Sequence, residues 1–600
     1  MIPFRTLKQL IDMWFPAQRT ATAIIVPGEI VLSYEGLAAL VARLRQLLLE
    51  EAISPRSRVG LVAPRGWQGL AGFLAISSLG ACAPLNPSAR PAEIESDITQ
   101  MGLDVIVGMD CDASIAAAAV DLGIQFIQMS SESIVSKIDS PHMYALPSFT
   151  DAYEPEPLDT ALLMKTSGST GKPKVVELTH SNILASTQAI ATMFSLGPKD
   201  RCLNLMPMFH VHGLLSASVA SLIGGSSVVC VRSFDANATI DYVGRLSPTW
   251  ITAAPTMHLA ILRQLDARGS KMPASSNALR FVRSSSAPMP FDVIQRLEDA
   301  YGAPLIETYG LTESSSLIAS NPLPPGKRKV GSVGQPVGAE IRVLDAKMVD
   351  ARAGEVGEVV VRGPSVITQY STAGDQSNAF HDGWLRTGDG GYLDSDGYLY
   401  ITHRLKEVIK RGGNQVVPTE VDAHLRKHVG VLEAVTFAIA HPTLGEDVAA
   451  ALVVETAATF DVTQVRRRLA EQVSLYKVPS HLYLVAELPK NHMGKIVRKD
   501  VAKFCSCIPD EGARSPSGPT EQLLHDIWCD WLRVGSLHVT ANLFLAGADV
   551  ILARGVSDEI HRNINVRLSP RELFLAPTIE QQALIIGERS IYPTALNMES

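Results

Sequence analysis

At 600 residues the chain is too long for a single core, and three or four domains are expected. With 46% hydrophobic residues, 19% charged residues and a net charge of −8, it reads as an ordinary globular chain. Its basic residues are dispersed rather than striped, which argues against nucleic acid, so any anionic substrate needs a locally basic site.

Residues 1–20 lack the apolar core of a signal peptide, and the longest apolar stretch, 214–231, is broken by serines and glycines, so no membrane span is expected. The seven scattered cysteines fit a reducing cytoplasm, and Cys505-x-Cys507 has no second pair to build a zinc site. Residues 21–34 pattern as a hairpin turning at Pro27-Gly28, and Ser33 caps an amphipathic helix. Short apolar strands near 58–64, 81–87, 104–108 and 124–129 alternate with helices, which predicts parallel sheets wound on both faces. Residues 130–160, rich in Ser, Pro and Asp, read as an exposed connection.

The connection leads into LLMKTSGSTGKPKVVELTH, residues 162–180. Thr166, Ser167, Gly168, Ser169, Thr170 and Gly171 supply hydroxyls and close backbone approach, and Lys172 and Lys174 supply point charges; together these suit phosphate oxygens. The stretch is not a Walker loop, because Gly168 and Gly171 are two residues apart and Pro173 follows Lys172. A Gly/Ser surface loop is the plain alternative. Further on, Phe209-His210-x-His212-Gly213 opens a helix. The two histidines do not share a helix face, so metal binding is disfavoured and a wall or core role is preferred. FVRSSSAPM (281–289) is a strand that empties into Ser284, Ser285 and Ser286, which makes them and Arg283 either pocket residues or a polar turn. In PLIETYGLTESSS (304–316), Tyr309 offers a face for a purine and Gly310 lets the backbone pass close to it. Thr312 and Ser314 flank Glu313, a hard oxygen ligand of the kind Mg²⁺ takes. Residues 352–402 predict a small antiparallel unit, in which Thr387-Gly388-Asp389 sets a carboxylate in a turn, either a ribose ligand or an exposed aspartate.

These strings, in this order, resemble the acyl-adenylate-forming superfamily over roughly 1–500, and MPMFHVHG is most similar to its oxalyl-, malonyl- and 4-coumarate-CoA ligase branch. The resemblance implies an α/β fold: a large domain over 1–403, made of two wound α/β subdomains and a small β subdomain, then a mobile α+β domain over 404–507. It implies ATP, Mg²⁺ and coenzyme A, with the 166–174 loop on the β- and γ-phosphates and Glu313 on the metal. Tyr309 and Gly310 then fall at adenine, Asp389 and Arg404 at ribose, and His210, His212, Arg283, Ser285, Ser286 and Ser314 around the acid. Lys495, in LPKNHMGKIVRKD, matches the catalytic lysine; Lys406 matches the hinge about which Gly412 and Gly413 swing in for the thiol step. His403 stands where the family usually has Gly or Asp.

A Pro/Gly/Ser linker over 508–519 precedes residues 520–590, which open with an amphipathic helix that Thr520 is expected to cap. With their ELF-x-APTI segment they resemble the four-helix carrier domain of peptide and polyketide synthases. Val550 occupies the position of the serine that receives phosphopantetheine, and valine has no hydroxyl to esterify, so no phosphopantetheine is expected. The resulting expectation is an AMP-forming ligase joining a small polar or dicarboxylic acid to coenzyme A, in specialised metabolism. Its partners are the acid and a downstream acyltransferase or carrier protein. The alternatives are in-line loading of a carrier and an inactive adenylation-fold partner.

Overall fold

The structure is a computed structural model that describes residues 4–135, 153–166, 174–273, 278–371, 379–441, 444–490, 496–506 and 514–591, apart from 52, 55, 65, 288, 290, 458–459, 545 and 549. The chain forms two compact units, 1–401 and 402–600.

The first unit holds three sheets. A nine-stranded sheet runs in spatial order Gln335–Pro336, Ala319–Ser320, Leu305–Tyr309, Phe281–Ser284, Trp250–Ala253, Arg201–Asn204, Ser227–Cys230, Thr22–Val26 and Ile30–Ser33. Its central pairs are parallel and its edges antiparallel. A six-stranded sheet runs Gln125–Met129, Val105–Met109, Arg58–Val62, Ala81–Leu85, Thr160–Thr166 and Lys174–Thr179, with only the last pair antiparallel. The central strands read as continuous apolar runs because helices cover both faces. Helix Trp67–Ser77 is buried on every side, in keeping with its lack of charged residues. A five-stranded sheet of Glu340–Leu344, Gly357–Arg362, Phe380–His381, Trp384–Leu393 and Leu399–Arg404 completes the unit.

The hairpin at Pro27-Gly28 and the Ser33 cap form as the pattern predicts; the Ser33 side chain accepts the Gly36 N–H at 3.0 Å. Short helical turns over Leu7–Gln9, Leu10–Trp14 and Phe15–Gln18 precede the hairpin, although the patterning points to nothing there. Pro16 breaks the helical signal, and these turns are held by burial of Leu7, Leu10 and Phe15.

In the second unit the strands run Asn414–Val416, Ile409–Arg411, Gly445–Val454 and Val431–His441, with His481–Leu484 parallel to Gly445–Val454. Helices Pro418–Leu425, Val462–Gln472 and Arg498–Ser506 flank this sheet. Helices Pro519–Leu532, Val550–Ile564, Pro570–Leu575 and Ile579–Ile591 follow. Thr520 does not cap the first of them. Gly518 is the cap residue and Pro519 takes the first helical position, where its missing N–H costs nothing.

Candidate functional site

Arg283, Ser285, Ser286 and Tyr309 lie at or just beyond the carboxyl ends of the parallel strands Phe281–Ser284 and Leu305–Tyr309. Arg283 is the penultimate residue of strand Phe281–Ser284 and is 1% exposed. Its Nε donates to Thr308 Oγ1 at 3.2 Å and its Nη2 to Ser216 Oγ at 3.4 Å, while its buried Nη1 has no hydrogen-bond partner among the described residues. The Phe194 ring face lies 5.9 Å from the guanidinium carbon. Burial pushes this guanidinium down to about 10, so it stays cationic at neutral pH. A cation buried among hydroxyls and a ring has its charge incompletely answered, which is costly unless something anionic arrives.

His212 bridges Thr252 Oγ1 (2.7 Å) and Ser286 Oγ (3.1 Å). Burial first, then Arg283, His210 and His258, push it well below the ordinary histidine value, so it is neutral. His210 lies against Phe209, with ring centroids 4.6 Å apart. Gly213 cannot carry a side chain here, since a Cβ would sit 2.2 Å from the Pro207 carbonyl oxygen. Ser285 donates to Thr308 O at 3.3 Å.

The Tyr309–Ser316 turn is tighter than its sequence implies. A Cβ on Gly310 would sit 1.4 Å from Ser316 O. Ser286, Ser315 and Ser316 hold φ of 76°, 56° and 113°, a region that non-glycine residues reach only under strain and that concentrates at functional sites. Ser314 is buried and spends its hydroxyl on its own turn, donating to Leu311 O at 2.9 Å and accepting Leu311 N–H at 3.2 Å. Its side chain shapes the turn that presents Glu313 and Thr312.

Glu313 Oε1 accepts the Tyr370 hydroxyl at 2.9 Å, and Lys174 Nζ stands 4.3 Å from the centre of the Tyr370 ring. Glu313, Tyr370 and Lys174 therefore form one cluster. Thr166 pairs with Lys174 across the mouth of its loop. Ser167, Gly168, Ser169, Thr170, Gly171 and Lys172 lie outside the described residues, as does Lys495. Tyr309 donates to Asp389 Oδ2 at 2.5 Å, and Asp389 is 3% exposed, which sets aside the exposed-turn alternative for that carboxylate.

In the second unit Arg404 and Lys406 are exposed, at the end of strand Leu399–Arg404 and in the turn Leu405–Glu407. Gly412 and Gly413 are the two central residues of a hairpin turn, with φ of 53° and 85°, positions that only glycine fills without strain.

Sequence reasoning missed Ser216, Thr252, Thr308 and Tyr370. None carries a local signal of its own, Thr308 included although it lies inside the 304–316 string, and only strand register and helix packing give each its partner.

Family models match three stretches: AMP-binding enzyme over residues 13–371, AMP-binding enzyme C-terminal domain over 420–495, and phosphopantetheine attachment site over 522–586. A sulfoacetate–CoA ligase of Cupriavidus necator is 35% identical over 475 residues, covering 78% of this chain and 91% of its own. An oxalate–CoA ligase of Arabidopsis thaliana is 34% identical over 501 residues, covering 82% and 96%. Among solved structures, ATP-bound MatB of Rhodopseudomonas palustris superposes with a TM-score of 0.76 at 27% identity, over 84% of this chain and 98% of that one. Among the described residues no helix is long and apolar enough to cross a membrane.

Proposed function

The chain belongs to the AMP-binding enzyme family, and from that premise we propose that it is an ATP-dependent ligase that activates a small polar or dicarboxylic acid and transfers it to coenzyme A. The carrying observation is Arg283, a buried cation with one nitrogen unpartnered among the described residues. A second carboxylate, or a sulfonate, on the acid would complete its hydrogen bonding as a charge-assisted pair. The sulfoacetate– and oxalate–CoA ligases among the relatives support the same class of acid.

In the proposed reaction a carboxylate oxygen of the acid forms a bond to the α-phosphorus of ATP and pyrophosphate leaves. The thiol sulfur of coenzyme A then attacks the acyl carbon, AMP leaves with the electron pair of the broken C–O bond, and the thiol proton passes to solvent. The first step joins two anions, so it calls for charge neutralisation more than for a base. Lys174 and, on the strength of the motifs, Lys172 and Lys495 supply cations to the phosphates. Thr166, Ser167, Gly168, Ser169, Thr170 and Gly171 supply hydroxyl and backbone donors. Neutral His212 orients hydroxyls and adds no charge to compete with Arg283, while His210 gates the acid. Ser285 and Ser286 complete the wall. The Tyr309 ring faces the base, and Asp389, with Arg404 after domain movement about Lys406, takes the ribose.

Glu313 fits a Mg²⁺ site, because that ion takes one or two carboxylates and completes its shell with phosphates and water. Tyr370 orients the Glu313 carboxylate through one oxygen. When bound, Mg²⁺ would spread the charge that develops on the phosphates.

Coenzyme A is favoured as acceptor over the chain's own tail because Val550 offers no oxygen to phosphopantetheine. The tail's match to phosphopantetheine attachment domains is the ground for a second reading, in-line carrier loading. A carrier-like tail on a CoA-ligase body also supports a place in specialised metabolism. A panel of acids scored for pyrophosphate exchange, with and without coenzyme A, tests the reading. Faster exchange with palmitate than with oxalate, malonate or sulfoacetate would overturn the choice of acid. Label appearing on residues 520–590 after incubation with labelled coenzyme A and a phosphopantetheinyl transferase would overturn the choice of acceptor.

A further inference from the structure

The helical tail does not stand apart from the small domain. Within the second unit, one continuous buried apolar cluster joins sheet and helix residues such as Ile409, Leu469 and Val478 to Phe544, Leu573 and Phe574 of the tail. The polar contacts are directional. His441 accepts the Leu444 N–H at Nδ1, so Nε2 carries its proton and donates to Phe544 O at 3.1 Å. Asn542 Nδ2 donates to Ser480 O at 2.6 Å, and Arg571 donates to Ala470 O at 3.3 Å. Asn542 and Phe544 lie only eight and six residues before position 550. The turn that would have to present a prosthetic group is therefore tied down on the small domain.

The same interface reaches a residue at the base of the Gly412–Gly413 hairpin. Arg411 is 6% exposed; its Nε pairs with Asp447 Oδ1 at 2.6 Å, and its Nη1 donates to the carbonyls of Tyr476 (3.0 Å) and Val478 (3.1 Å). The ring of Phe574, from the tail, lies 5.2 Å from this guanidinium carbon. Such a contact is worth most when the cation is desolvated, as it is here. The Gly412 N–H in turn donates to Leu444 O at 3.0 Å, beside His441. Tail, His441 loop and hairpin thus form one connected packing unit.

We propose that the C-terminal helical domain is a fixed brace on the small domain, positioning the Gly412–Gly413 hairpin through Arg411 and His441, and that it does not swing out as a carrier. Its consequence for catalysis rests on the reading above, in which that hairpin serves the thiol step. A brace predicts a selective defect: loosening the tail degrades coenzyme A use and leaves adenylation alone.

The test uses the full chain and three variants: Asn542→Asp, Asn542→Asp/Arg571→Glu and Phe574→Leu. Asn542→Asp keeps the oxygen that accepts the Phe544 N–H at 3.0 Å and turns the donor facing Ser480 O into an acceptor, so the tail keeps its own turn. Pyrophosphate exchange, KM for coenzyme A and amide hydrogen exchange over residues 409–416 are measured on each. The expected result for the double variant is pyrophosphate exchange within about twofold of the parent, KM for coenzyme A raised about tenfold, and faster exchange of the hairpin amides, with Phe574→Leu in the same direction. Unchanged hairpin exchange in the double variant and in Phe574→Leu overturns the brace. So does a proportional loss of both half-reactions. A parent enzyme that exchanges pyrophosphate but forms no thioester with coenzyme A would sink the ligase reading instead, and the hairpin amides would still decide the brace.

Discussion

Replacing Arg283 by methionine separates what this residue does for stability from what it does for the substrate. Methionine keeps an unbranched apolar stem, ends two atoms short of the guanidinium nitrogens, and carries no charge. Burial lowers the guanidinium from its ordinary value to about 10, which corresponds to about 3 kcal/mol of cost for holding it charged in place. Its bonds to Thr308 and Ser216 return about 1 kcal/mol each. The variant should therefore be as stable as the parent, or more stable by about 1 kcal/mol, a shift of about 1–3 °C in Tm for a chain this long. The substrate side has the opposite sign. Leaving a bound second carboxylate without its cation costs about 3–5 kcal/mol, a loss of about 10²–10⁴-fold in kcat/KM. The acid with one carboxylate loses nothing of that kind. The assay is pyrophosphate exchange with malonate and with propionate, alongside thermal unfolding. The malonate-to-propionate ratio of kcat/KM should collapse while Tm holds or rises. A folded Arg283→Met enzyme that keeps the parent's ratio would falsify the assignment of Arg283 to the acid.

Four further outcomes follow from the geometry. Tyr309→Phe removes the 2.5 Å bond to Asp389 but keeps the ring face, so KM for ATP should rise about tenfold with kcat little changed; an unchanged KM counts against a joint role at the nucleoside. Gly310→Ala puts a methyl 1.4 Å from Ser316 O, so the turn must rearrange; unfolding in urea should show a loss above about 3 kcal/mol or no folded protein. Glu307 is raised by burial from 4.5 to about 7, against the opposing pull of the Gly331 N–H and Arg328. A carboxyl with a raised value favours the folded state while protonated, so its contribution, up to about 3 kcal/mol, is present below about pH 4.5 and is lost as pH rises through 7. Glu307→Gln should flatten the fall of Tm across that window. His180 and His258 show the reverse sign. Burial lowers both to about 4, so their contribution is intact above about pH 6.5 and is lost as pH falls towards 4. Substituting His258 by glutamine should reduce acid lability between those limits, read by Tm against pH, and an unaltered acid limb would contradict it.

Much of the proposed site can be named from the sequence because its chemistry sits in contiguous strings. Thr166 to Lys174, Tyr309 to Ser314 and Thr387 to Asp389 each announce themselves through glycines and hydroxyls next to a charge. Others were legible only in part. Arg283 could be named from its place at the end of a strand, but a pocket arginine and a polar-turn arginine look alike in sequence. Its 1% exposure sets aside the polar turn. Ser314 was chosen with its neighbours because the string is polar, yet it holds its own turn. The hydroxyls that meet Arg283 and His212, from Ser216, Thr308 and Thr252, carry no local signal, since each comes from a different strand or helix.

By itself, the sequence determined the alternation of strands and helices, the order of the motifs, the reaction class they imply, and the valine at position 550. These depend on local patterning and on residue chemistry, which a chain carries with it before it folds. Tertiary structure alone decided that Arg283 lies buried with its charge only partly answered, that Tyr309 reaches Asp389, and that the tail packs on the small domain through Asn542, His441 and Phe574. Those pairings span between 62 and 163 residues of chain. Contacts at that separation are set by strand register and by which apolar faces find one another, and neither can be read from the residues on one side alone.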